Sequence, residues 1–380
     1  MKIQSKLPNT KTSIFAVMSG LANECGAINL SQGFPNFPIS ENLASLVNEN
    51  MIKGNNQYAP MPGILPLREA ISEKLNRTYG VSFNPETEIT ITPGATHGLN
   101  TIITAMISKG DEVIIFEPAY DSYVPSIELC GGIVKPINLV APTYHINWEE
   151  VERTISNKTK MIIMNTPHNP TGAVLRENDM KELIRLTLNT DIIVLSDEVY
   201  EHLIFDGIRH ESILYYPELI ERSFVTASFG KTFHTTGWKM GYVVSPKELM
   251  DEYRKVHQFS VFTCNTPMQW AFAAFLKDPN NYDYLPMFYQ EKRDFMIDAL
   301  QGSRFNILDC KGTYFMLLDY SKITDENEMD FAVRLTKEYG VATVPVSPFY
   351  SSPIDNKTLR ICFAKTNETL LGAAEILKRI

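Results

Sequence analysis

The chain has 380 residues, more than one hydrophobic core ordinarily fills, so a large domain with a smaller companion is expected. Apolar and charged fractions of 44% and 21% are those of an ordinary globular protein, and a net charge of -9 argues against nucleic acid or an anionic membrane as partner. The five cysteines show no C-x-x-C spacing, no run of about 18 apolar residues occurs, and the N-terminus lacks a signal-like apolar core. A disulfide framework, a zinc ribbon and a membrane span are therefore not expected, no metal site is read, and the expected location is cytoplasmic.

In chain order, the first forty residues hold Pro35 and Pro38 and little periodicity, which predicts an extended arm. Short apolar runs then recur at 88–92, 112–116, 133–139, 160–164, 192–196, 224–227 and 242–244. They lack polar alternation, as strands buried on both faces do. Amphipathic stretches at 98–107 and 177–188 lie among them and predict helices. This alternation predicts an α/β fold with a mostly parallel central sheet between helices. Beyond residue 280, short runs at 314–318, 342–346 and 358–363 mix with two helices, the last at 368–380 after an N-cap at Thr366 or Asn367. The expected division is a large domain over 41–279 and a small α+β domain from 280–380, joined by the arm at 1–40.

Ligands of open α/β sheets bind beyond the carboxyl ends of the strands. After 88–92 comes Pro93-Gly94-Ala95-Thr96, a small-residue turn into a helix that suits a phosphate or is a plain connection. After 160–164 comes Asn165-Thr166-Pro167-His168-Asn169-Pro170, a stiff loop able to fix side-chain amides. After 192–195 come Ser196-Asp197-Glu198-Val199-Tyr200, and an acid ending a buried apolar strand is costly unless paired. After 224–227 come Ser228-Phe229-Gly230-Lys231-Thr232. A P-loop would need Gly where Val225 stands, and a nucleophile elbow would need Gly where Thr226 stands. What remains is Lys231 among Phe229, Phe233 and Trp238, a poor setting for a surface lysine.

Four ordered segments resemble the fold-type I, class I/II pyridoxal phosphate (PLP)-dependent aminotransferases: NTPHNPTG at 165–172, SDEVY at 196–200, SFGKTFHTTGWKMGY at 228–242 and LRICF at 359–363. The likeness runs from LSQGFPNF at 30–37 almost to the C-terminus. With Gln57-Tyr58, EPAYD at 117–121 and FTCNTP at 262–267, it is nearest the methionine, glutamine and kynurenine aminotransferases.

The resemblance implies a role for each matching residue. Lys231 resembles the Schiff-base lysine that anchors the cofactor and shuttles a proton. Asp197 would pair with the pyridine nitrogen, Asn169 and Tyr200 with the ring oxygen O3′, and Tyr120 would stack on the ring. Ala95, Thr96, Ser228 and Lys239 match the phosphate contacts, with Lys239 standing where many relatives carry Arg. Tyr58 resembles a tyrosine reaching the phosphate from a second subunit, which implies a homodimer with shared sites. Arg360 resembles the clamp for the substrate carboxylate, assisted by Asn165 and Gly33, although alone it reads as a strand-edge arginine. Phe262 would line the side-chain pocket with Tyr120. Thr263 stands where kynurenine-type relatives often have His, and no second Arg is placed for a distal carboxylate. The expected activity is transfer of an amino group from a methionine-like, apolar or aromatic L-amino acid to a 2-oxo acid. A cystathionine-type β-lyase of the same fold is the alternative. A glutamine- or kynurenine-preferring enzyme, or a non-enzymatic PLP-binding regulator, is a weaker reading.

Overall fold

The computed structural model describes residues 3–380. Seven strands form the central sheet: β1 (Ile89–Thr92), β2 (Glu112–Glu117), β3 (Ile133–Asn138), β4 (Thr159–Asn165), β5 (Ile193–Asp197), β6 (Ser223–Ser228) and β7 (Gly241–Val244). Their order is β1-β7-β6-β5-β4-β2-β3, parallel throughout except that β7 runs antiparallel to both neighbours. All seven lie within two residues of the runs read from sequence.

Along the inner strands β2, β4, β5, β6 and β7, alternate residues enter two separate apolar clusters. On β4, Ile162 and Met164 join one cluster while Met161 and Ile163 join the other. Both faces of these inner strands are thus dry, which explains why they read as nearly unbroken apolar runs. Burying each such side chain contributes on the order of 1.5–3 kcal/mol. The helix Ala95–Met106 packs with Lys247–Ser260 on one side of the sheet, while Leu65–Tyr79 and Glu41–Ile52 pack on Thr266–Phe275.

A smaller antiparallel sheet joins Asn306–Ile307, Phe315–Asp319, Thr358–Cys362 and Val344–Pro345. The C-terminal helix Asn367–Leu377 is capped by Thr366, whose hydroxyl accepts from the Thr369 N–H. Three helices rather than two occupy this region, because Glu328–Arg334 adds to Leu285–Ala299 and Asn367–Leu377.

The N-terminal segment departs from the extended arm. Ile14–Cys25 is a helix whose buried Ile14, Met18 and Ala22 recur every four residues, and Gly26 ends it in the left-handed region with φ 61°. Ile28–Asn29 then pairs in parallel with Val341–Ala342. The periodicity covers only three turns, too few to stand out beside the proline-rich stretch that follows.

Candidate active site

The carboxyl ends of β4, β5 and β6 are Asn165, Asp197 and Ser228; Asn165 and Asp197 are register partners, and Ser228 lies two residues beyond Thr226, which pairs with Asp197. Because β7 is antiparallel, its first residue, Gly241, lies between Thr92 and Ser228 at the same edge. A Cβ on Gly241 would stand 2.5 Å from the Ala227 carbonyl and 3.1 Å from the Ala95 nitrogen, so only glycine lets β7 start there. These ends border a cavity of about 260 Å³ that Tyr120, Lys231 and Arg360 also line.

One end of the cavity is built for an anion. The helix Ala95–Met106 begins here, and its first N–H groups have no intrahelical acceptor. Gly94 adopts φ 80°, and a Cβ on it would lie 3.2 Å from Cε and 3.3 Å from Nζ of Lys239. Lys239 itself is left-handed, with φ 52° and ψ 56°, a conformation that costs a non-glycine residue roughly 1–2 kcal/mol. That strained turn brings its ammonium over the helix start. Ser228 stands nearby, its hydroxyl accepting the Lys231 N–H at 3.3 Å and capping the single turn Phe229–Thr232 that holds Lys231. The Thr96 and Tyr120 hydroxyls lie 3.1 Å apart.

The middle of the cavity holds the acid and the amine. Asp197 is 4% exposed; its Oδ2 accepts from the Tyr123 hydroxyl at 2.6 Å. Burial raises its carboxyl to about 6, against the Tyr123 hydrogen bond and Lys231, which act the other way. Burial lowers the Lys231 amine to about 8. Lys231 Nζ donates to the Tyr314 hydroxyl at 2.7 Å and to the Gly33 carbonyl at 3.1 Å. The Tyr200 ring lies 5.6 Å from the amine.

The far end holds Arg360, 1% exposed. Its guanidinium donates to Asn169 Oδ1 at 2.9 Å and to the Ser31 carbonyl at 3.0 Å, while its Nε has no partner. The Phe315 ring lies 3.8 Å beneath it. Among the described residues no carboxylate enters this hydrogen-bond shell, and burial lowers the group to about 10. A buried cation held only by neutral oxygens is an open seat for a carboxylate. Asn165 ties the loop together: its amide donates to the Asp197 carbonyl at 2.9 Å, and its oxygen accepts the Asn169 N–H at 2.8 Å.

Twelve of the fourteen residues singled out from sequence line this cavity: Gly33, Ala95, Thr96, Tyr120, Asn165, Asn169, Asp197, Tyr200, Ser228, Lys231, Lys239 and Arg360. Tyr58 and Phe262 do not. They pair edge to face at 5.3 Å on the surface, 81% and 52% exposed, with Phe262 at φ 69°. Sequence reasoning passed over Tyr123 and Tyr314. Tyr123 follows the Tyr120-Asp121 pair by two residues, and Tyr314 opens a run read only as a strand.

The site fits pyridoxal phosphate. It offers a phosphate cradle that a Cβ at Gly94 would crowd, a buried acid, an amine below its ordinary value and an unpaired guanidinium.

Comparison with known proteins agrees. The model of the family described as aminotransferase class I and II matches residues 26–377. The methionine aminotransferase of Escherichia coli (strain K12) is 47% identical, covering 99% of this chain and 98% of its own. The kynurenine–oxoglutarate transaminase of Dictyostelium discoideum is 34% identical over 97% of this chain and 94% of its own. Among solved structures, Escherichia coli YbdL, reported with a methionine aminotransferase function, superposes with a TM-score of 0.98 at 47% identity over 100% of both chains. The N-succinyldiaminopimelate aminotransferase of Mycobacterium tuberculosis superposes with a TM-score of 0.95 at 33% identity, again over 100% of both. The chain therefore belongs to the class I and II aminotransferases, enzymes that use pyridoxal phosphate to move amino groups between amino acids and 2-oxo acids.

Proposed function

We propose that this enzyme binds pyridoxal phosphate at Lys231 and transfers the amino group of methionine, or of another apolar or aromatic L-amino acid, to a 2-oxo acid. One observation carries the reading: Lys231 and the unpaired Arg360 share a cavity with Asp197. The bound cofactor supplies an electron sink for the substrate's Cα–H bond. Asp197 would hold the ring nitrogen, Asn169 and Tyr200 the ring oxygen, and Tyr120 the ring face. Ala95, Thr96, Ser228 and Lys239 would hold the phosphate. Lys231 anchors the group and carries a proton at Nζ, which its lowered affinity for protons allows near neutral pH. Arg360 binds the substrate carboxylate, with Asn165 and Gly33 beside it.

The side-chain preference rests on two supports. The first is the full-length likeness to a methionine aminotransferase. The second is the lining: Arg360 is the one guanidinium among the described lining residues, and Phe15, Leu99, Met240 and Phe315 add apolar surface. A second carboxylate on the substrate would lack a matching arginine.

The active form is proposed to be a homodimer. Tyr58, Phe262, Phe259 and Ile52 are exposed apolar side chains, and the first two would complete the cavity of a second copy. The division into 41–279 and 1–40 with 280–380 is supported by the strand pairing of Ile28–Asn29 with Val341–Ala342. A cytoplasmic location is proposed on the five unpaired cysteines.

Borohydride reduction followed by peptide mass spectrometry should find the cofactor on Lys231, and Lys231→Ala should abolish the link. An amino-acid panel assayed with one 2-oxo acid should rank methionine and the aromatic residues above aspartate. Absence of any trapped link, or aspartate as best donor, would overturn the corresponding half of the proposal.

A further inference from the structure

The Lys231 amine makes no hydrogen bond to Asp197, the carboxylate that shares its cavity. It rests on two neutral oxygens, the Tyr314 hydroxyl at 2.7 Å and the Gly33 carbonyl at 3.1 Å. Those two oxygens are themselves joined, the hydroxyl donating to the carbonyl at 2.6 Å. With the amine protonated, the donors and acceptors match in one way. The ammonium donates twice, and the phenol accepts from it while giving its own proton to Gly33.

The surroundings fix this triangle. Tyr314 is fully buried, with its ring 5.2 Å from Tyr200 and 5.8 Å from Tyr289. Thr313, left-handed at φ 66°, turns the chain into the strand Phe315–Asp319 just before it. Gly33 is held against the Phe315 ring, where a Cβ would stand 2.7 Å from Cζ, so its carbonyl has little freedom. Tyr314 and Gly33 belong to the C-terminal and N-terminal segments, and both meet Lys231 from the central sheet's edge.

We propose that the Tyr314 hydroxyl and the Gly33 carbonyl form a berth that receives the Lys231 amine whenever it is not linked to the cofactor, making Tyr314 a positioning residue for the catalytic lysine. This rests on the reading of Lys231 given above. An aminotransferase lysine is free for part of every cycle. Its four-carbon stem would otherwise sample many rotamers, and a berth keeps the amine within one swing of its point of use. The berth also stabilises the charged amine against burial, since each hydrogen bond to the ammonium favours the protonated form. The other titratable groups facing this amine are Tyr200, Asp197, Arg360, Cys362 and Lys239. Burial keeps the Tyr314 phenol protonated, so it acts as a neutral dipole.

The test uses enzyme loaded with pyridoxamine phosphate, which makes no link to Lys231 and leaves its amine free. Trace acetylation with acetic anhydride against an internal standard, followed by mass spectrometry of the Lys231 peptide, gives the pH midpoint of that amine. In Tyr314→Phe the midpoint should fall by about one unit, and acetylation well below both midpoints should rise up to about tenfold. A lysine that merely packs against the ring would keep its midpoint, and an unmoved midpoint in a folded Tyr314→Phe overturns the assignment. Should that variant not fold, 3-fluorotyrosine at position 314 keeps ring and hydroxyl but accepts more weakly. It must move the midpoint the same way by a smaller amount, and no movement again overturns the berth. The two readings fail separately: no borohydride-trapped cofactor in the parent defeats the functional proposal, whereas an unmoved midpoint in a parent that forms the link defeats only the berth.

Discussion

Residues 196–201 face two ways, and the two sides treat charge differently. Asp197 and Tyr200 look into the cavity, while Glu198 and Glu201 look away from it into a closed polar cluster. In that cluster Glu201 accepts from Lys74 at 2.5 Å and from Tyr79 at 2.6 Å, and Glu198 takes bonds from Ser196, His210 and the Ile213 N–H. Lys74 holds Glu201 at about 2 despite full burial. On the cavity side the carboxyl is raised, the amine is lowered and the guanidinium is unpaired. The back of the segment is a finished ionic scaffold. The front is a set of charges whose partners arrive with ligand, and it is maintained at a cost in stability.

Breaking the scaffold side should give the largest effect. Lys74→Met leaves Glu201 buried without its cation and should destabilise the protein by roughly 3–5 kcal/mol, read from urea unfolding. A loss below about 1 kcal/mol would mean the cluster is not held together by this pair.

The same chemical change on the cavity side should do the opposite to stability. Arg360→Met removes a buried cation that has no anion, so the unfolding midpoint should hold or rise. Activity should fall about 100-fold in kcat/KM, alike for every amino donor, because the lost clamp is common to all of them. A loss confined to one donor would move Arg360 from the common carboxylate to a side-chain role.

The pH dependence of the cofactor-free chain sharpens the contrast. Asp197 titrates near 6 in the fold against an ordinary value of 3.8. The folded chain therefore binds more protons than the unfolded chain between those values. The stability this group contributes is present below pH 3.8 and is lost as pH rises through 6. The loss should be roughly 3 kcal/mol, and Asp197→Asn should remove it. Equal pH slopes for parent and variant between pH 4 and 6 would contradict the burial argument.

Much of this contrast is legible in sequence because the central sheet is dry on both faces. Polar residues ending apolar runs, such as Asn165, Asp197 and Ser228, stand out against them. Arg360 does not, since an arginine in a short apolar run reads as a strand edge until the fold shows it buried. Tyr123 and Tyr314 escape for a related reason: a tyrosine in an apolar run looks like core, and only the contact at its hydroxyl reveals Asp197 or Lys231. The helix Ile14–Cys25 is hidden because most of its packing is on Leu335–Tyr339, Val341–Ala342 and Val344–Pro345, more than three hundred residues away. Tyr58 and Phe262 have no place in the cavity of their own chain and lie exposed on its surface.

Lys239 gives the smallest and finest test, because it stands between the two regimes: among the described residues it has no carboxylate partner, yet it lines the anion end of the cavity. Its left-handed backbone is strained, and its head group crosses Gly94 where even a Cβ would touch Nζ at 3.3 Å. Lys239→Arg keeps the charge and adds a planar fork suited to phosphate, but must fit a larger head over the same glycine. These effects oppose each other, so cofactor affinity from reconstitution titrations should tighten by no more than about threefold, while Lys239→Ala should loosen it by about tenfold. An equal loss in both variants would mean that the Gly94 turn measures shape rather than charge, and the phosphate would then rest on Ser228 and the helix start at Ala95 and Thr96.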